Sequence, residues 1–130
     1  MHRITVGTRG EERILVTTEN AIDFLGADTA RVLSTPQMIL WMERTCRRAV
    51  LPLLEPGYDT VGTHVDVYHL AAAPIGAVVR FEAEITAIDG RRVHFRIAAY
   101  DEQEKIGEGT HERTIINVAK FATKMAQKKA

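Results

Sequence analysis

Three polar side chains stand in apolar company: Thr35, Glu43 and His69. Thr35 opens a helical pattern in Leu33-Ser34-Thr35-Pro36. Glu43 follows two turns later, between Met42 and Arg44, and His69 closes a strand-like run that starts at Thr63. A hydroxyl, a carboxylate and an imidazole are the parts that attack an acyl carbon, with water or through a covalent intermediate. If they meet in space, the chain is a hydrolase. Each also has a plain explanation. Thr35 suits a helix N-cap, a role worth about 1 kcal/mol. Glu43 stands four residues before Arg47, the spacing of a common helix ion pair. A lone strand histidine is more often packed than reactive. Against these, Glu43 follows the apolar run Met38-Ile39-Leu40-Trp41-Met42, which expects a largely buried helix. His69 precedes Ala71-Ala72-Ala73, small side chains that leave room for a ligand, and imidazole titrates near neutral pH.

Other chemistry is less well supported. No His, Cys, Asp or Glu cluster has the spacing of a zinc site, and His64 and His69, five apart on a strand, are expected on opposite faces. No metal is expected. Cys46 reads as a packed thiol in mid-helix. Gly107-Glu108-Gly109 is a fragment of a phosphate-loop pattern that falls inside a strand. Arg91-Arg92 follows a turn and reads as solvated surface.

The elements that must position the three residues follow from punctuation and period. Glu12 to Thr18 reads as a short strand. Asn20 to Asp28 has no decisive pattern. Thr35 as N-cap and Pro36 at the first helical position start a helix; Arg47 and Arg48 suit its C-terminal dipole, and Pro52 and Pro56-Gly57 stop it. After Gly57 the period becomes two. Val61 to Leu70 is a long strand. Val78 to Ile88 alternates, with Val79, Phe81, Ala83, Ile85 and Ala87 on one face. Asp89-Gly90 signals a hairpin. Arg92 to Tyr100 alternates again, with Val93, Phe95, Ile97 and Ala99 inward. An acidic turn over Asp101 to Glu104 leads to a last strand, Ile106 to Val118, and Lys120 to Ala130 is a lysine-rich tail. One helix and about five antiparallel strands make an α+β domain in which the helix covers one sheet face. The uncovered face or edge would invite a partner subunit.

The 130 residues suffice for one domain, with a core over about 12–121 and a tail over 122–130. Formal net charge is zero, which disfavours nucleic acid as a partner. The single cysteine, Cys46, excludes an intramolecular disulfide and fits a reducing compartment. The N-terminal residues lack a signal-peptide core and no apolar run approaches a membrane span, so a cytoplasmic location away from membranes is expected.

Four stretches carry a more specific likeness: Ser34-Thr35 with Glu43 eight residues after the threonine; Leu54-Glu55-Pro56-Gly57; Gly62-Thr63 with His69 ending the same strand; and Gly109-Thr110-His111-Glu112-Arg113. Together they resemble the fluoroacetyl-CoA thioesterase family over roughly residues 32–121. The resemblance implies a hot-dog fold, a curved antiparallel sheet around one long helix, and hydrolysis of a small acyl-CoA thioester. It implies Thr35, Glu43 and His69 as the catalytic group and Gly62 as a holder of the thioester carbonyl. Arg113 would stand where the family meets coenzyme A or the dimer partner. It implies no cofactor beyond the coenzyme A of the substrate, and a homodimer or tetramer. The sequence departs at Pro36, where the family has glycine. The family's fluorine selectivity depends on lid aromatics before the helix, and the segment Phe24 to Ala30 offers only Phe24 as a substrate-binding candidate. Two other classes remain open: a hydratase or dehydratase on the same fold, which would need a histidine on the helix, and a non-catalytic acyl-CoA binding module.

Overall fold

The computed structural model describes residues 2–23 and 28–129. Five strands are described: β1 (Arg9–Leu15), β2 (Tyr58–His69), β3 (Val78–Asp89), β4 (Arg92–Tyr100) and β5 (Lys105–Asn117). Helix α1 (Thr35–Val50) precedes β2, and helix α2 (Val118–Lys129) follows β5. The strands form one sheet in the order β1-β3-β4-β5-β2, and every described pairing is antiparallel. This is the α+β arrangement expected: α1 lies on the sheet face built from Val79, Phe81, Ile85, Val93, Phe95, Ile97 and Ile106, all buried. Burying side chains of this size stabilises by roughly 1.5–3 kcal/mol each relative to leaving them in water.

Met38, Met42, Cys46 and Val50 recur every four residues and form the buried stripe of α1. The helix can approach the sheet because β5 offers Gly107: a Cβ there would stand 2.6 Å from Met38 Sδ. That close approach explains the glycine that the sequence left unassigned. Ile39, Leu40 and Trp41 are only half-buried, so the apolar opening of the helix is not wholly enclosed within this chain. At the C-terminal end Arg47 grips Asp59 at the start of β2 through two hydrogen bonds, at 2.9 and 2.6 Å. Arg47 thus ties α1 to the sheet rather than serving as the i+4 partner that would give Glu43 a plain explanation. The guanidinium holds the Asp59 carboxyl below the usual carboxylate range.

Several boundaries differ from the sequence reading for identifiable reasons. Strand β1 runs from Arg9, because its ladder with β3 starts at the Arg9–Glu84 pair. It ends at Leu15, where Asn20 ties the turn by accepting from Thr17 N and donating to the Leu15 carbonyl. The N-cap of α1 is Ser34, not Thr35: the Ser34 hydroxyl accepts from Gln37 N, and Pro36 follows inside the first turn. Ala87 is exposed rather than inward, because the β3–β4 register slips between Ile85 and Ala87 and reverses the faces beyond. The lysine-rich tail is helical and has no buried side chain.

Candidate active site

Moving the cap to Ser34 frees the Thr35 hydroxyl. It points along the sheet to His69, with Oγ1 2.8 Å from Nδ1. Both residues open onto a cavity of about 360 Å³, walled by Ile22, Val32, Leu33, Leu70 and Ala71. That lies within the usual range for small-molecule sites. The small residues after His69 give the room foreseen for a ligand. The His69 Nε2 atom is buried and has no hydrogen-bond partner among the described residues. Burial lowers the His69 pKa below the ordinary histidine value, with the Ala71 backbone pulling the other way. At neutral pH the ring is thus neutral and can accept a proton.

Glu43 lies elsewhere. Eight residues of helix place it about 12 Å along the axis from Thr35. Its side chain is 37% exposed and faces β2 and β5, with Oε1 3.6 Å from Arg113 Nη1 and 3.8 Å from His111 Nε2. It does not sit in the apolar enclosure that the helix pattern suggested; it borders solvent on one side and two buried nitrogen-bearing side chains on the other. Arg113 is 5% exposed. Its guanidinium donates to Thr60 Oγ1 at 2.7 Å and to the Thr60 carbonyl at 2.9 Å. The Arg113 side chain points inward, at Glu43. Burial works against its charge and the Glu43 carboxylate supports it.

Gly62, on β2 directly opposite Arg113, completes this second cluster. A Cβ at Gly62 would overlap Glu43 Oε1 and stand 3.2 Å from His111 Cε1. The glycine therefore leaves its backbone open beside the carboxylate. Gly62→Ala is expected to push the carboxylate aside and lower kcat about a hundredfold, since small displacements of reacting groups have effects of that size. Steady-state kinetics on a variant shown to be folded by circular dichroism checks this; wild-type kcat would contradict it.

The described chain thus divides the expected trio into two clusters, Thr35–His69 and Glu43–Gly62. Phe24 lies outside the described residues. Sequence reasoning missed His111 and Thr60. The available signal was parity: His111, Arg113 and Ile115 alternate on one strand and share the inward face. A larger cavity, about 610 Å³, lies on the sheet face away from α1 between Tyr68, Tyr100, Arg96 and Lys105. It holds neither cluster. Among the described residues no three His, Cys, Asp or Glu side chains are grouped to hold a metal ion. No described helix is long and apolar enough to cross a membrane.

Both clusters lie within the part of the chain that matches known proteins. The family model for fluoroacetyl-CoA-specific thioesterase matches residues 16–119. The chain belongs to that family. A fluoroacetyl-CoA thioesterase of Streptantibioticus cattleyicolor is 43% identical over 102 residues, covering 78% of this chain and 73% of that one. A solved variant of the fluoroacetyl-CoA-specific thioesterase, bound to fluoroacetate and CoA, is 37% identical with a TM-score of 0.82, covering 91% of this chain and 99% of the other. A Thermus thermophilus hypothetical protein, a thioesterase superfamily member, is 34% identical with a TM-score of 0.89, covering 99% and 96%. The hot-dog fold and the thioester hydrolase expected from the four sequence stretches are borne out by these matches.

Proposed function

We propose that the chain hydrolyses small acyl-CoA thioesters to the free acid and coenzyme A, with Glu43, Thr35 and His69 as catalytic residues contributed by two copies of the chain. The single observation that carries the reading is the separation of the clusters. Within one chain Gly62 and His69 are seven strand residues apart, about 23 Å, and no single carbonyl reaches both. Strand β2 ends the sheet, and its residues 62–66 are all exposed. An antiparallel pairing of two β2 edges about a two-fold axis through Val65 or Asp66 brings Gly62 of one copy to within one residue of His69 of the other. The half-buried Ile39 and Leu40, beside Glu43 on α1, supply apolar surface for the same contact. A homodimer therefore completes each site. A tetramer would be two such pairs.

In the assembled site the thioester carbonyl lies beside the Gly62 backbone, and the positive end of the α1 dipole favours the developing oxyanion. Glu43 attacks the carbonyl carbon or activates the water that does so. His69, oriented by Thr35, moves a proton as the thiolate leaves. The cavity of about 360 Å³ takes a short acyl group. Coenzyme A enters as part of the substrate, as the relative crystallised with fluoroacetate and CoA suggests. Whether fluorinated groups are favoured turns on the segment that holds Phe24.

A thiol-release assay over a panel of short acyl-CoAs, fluoroacetyl-CoA included, tests the reading. Free thiol and free acid in equal amounts are expected. Binding without thiol release would favour the binding module, and hydration of an enoyl-CoA the hydratase. The absence of a histidine from α1 counts against the hydratase.

A further inference from the structure

We infer that His111 is a positioning residue for Glu43 and acts through Arg113. This rests on the reading of Glu43 as the acting carboxylate and adds a residue to which no role has been attached. The His111 side chain has no solvent exposure, so every hydrogen bond it makes is with protein. Its Nδ1 stands 2.7 Å from the His64 carbonyl oxygen. A carbonyl only accepts, so Nδ1 carries the proton. Its Nε2 stands 3.1 Å from Arg113 Nη1. A guanidinium only donates, so Nε2 offers a lone pair. Both contacts together are satisfied by one species, the neutral ring protonated on Nδ1. Burial, which lowers the His111 pKa, acts in the same direction.

The consequence falls on the guanidinium. Thr60 takes Nε and Nη2 of Arg113, and His111 takes one hydrogen of Nη1. The three contacts fix the plane of the fork. The second Nη1 hydrogen is left for Glu43 Oε1, 3.6 Å away. The ring also packs on Phe95, with centroids 6.2 Å apart, and its Cε1 lies near Gly62. His111 thus sets the cation that faces the carboxylate, from beneath the carbonyl-binding glycine. The titratable and charged groups around it are Arg113 on its own strand, Glu43 on α1 and His64 on β2.

Two substitutions separate positioning from packing. In His111→Gln the amide oxygen can reach the Nε2 position and accept from Arg113. In His111→Asn the shorter amide can reach only the Nδ1 position and serve His64. Thiol-release kinetics are expected to show kcat within about threefold of wild type for His111→Gln, and a loss of about tenfold or more with little change in KM for His111→Asn. In an Arg113→Lys background the two His111 variants should be equal, because the residue through which they act is gone. Wild-type kcat in His111→Asn, or no difference between the two variants in the Arg113 background of the wild type, overturns the inference. Should neither variant fold, nitrogen-15 spectra of histidine-labelled wild type still decide it: His111 must be protonated on Nδ1 and not on Nε2, and the opposite tautomer overturns it. The same assay on Glu43→Gln keeps the two readings apart. An active Glu43→Gln defeats the carboxylate reading, whereas an inactive Glu43→Gln beside a fully active His111→Asn defeats this inference alone.

Discussion

Glu43→Gln is expected to lower kcat about a thousandfold, the range seen when a positioned acid–base or nucleophilic group is removed. The amide keeps the size of the carboxylate and can still accept from Arg113, but it neither attacks a carbonyl nor takes a proton from water. The fold should survive. Glu43 is partly exposed, so its interaction with Arg113 is weakened by solvent. Arg113 also keeps both of its bonds to Thr60. Thiol release measured beside thermal melting separates the effects: activity should collapse while the melting temperature moves by a few degrees at most. Full activity in this variant would remove Glu43 from the mechanism, whatever the family resemblance.

Much of the fold was legible because two periods are hard to disguise. The alternation from Val79 to Ile85 and from Val93 to Ala99 matches the buried face of β3 and β4 residue by residue. What failed was local. A one-residue slip after Ile85 leaves no mark in the sequence, yet it sends Ala87 outward. Ser34 and Thr35 are both good caps standing side by side, and only the backbone decides which hydroxyl turns back to Gln37. That choice matters for chemistry, since the hydroxyl not used as a cap is the one that meets His69.

The candidate site was legible as a set of residues and illegible as an arrangement. The family resemblance pointed to Thr35, Glu43, Gly62 and His69, but linear order does not reveal that helix and strand carry the two halves apart. The resemblance placed Arg113 where the family meets coenzyme A or the dimer partner, with no hint that the side chain is buried. Its inward parity with His111 and Ile115 is visible in β5, but the partner that justifies a buried charge, Thr60, comes from a strand more than fifty residues earlier.

The division of the trio leads to the second large effect. Glu43→Gln and His69→Ala homodimers should each be nearly inactive, because every site lacks one partner. A heterodimer of the two has one site with both defects and one site with none. Unfolding equal amounts together and refolding them should give about half heterodimers, and hence about one quarter of wild-type activity, from random pairing of two chains. The recovered activity should appear only after the chains exchange, and it should have the wild-type KM. Thiol release from the refolded mixture is therefore the measurement that bears most directly on a site built across two copies. A rise from near zero to about one quarter of wild type is the expected result by random pairing; a mixture no more active than its two parents would show that Glu43 and His69 do not meet across the proposed interface.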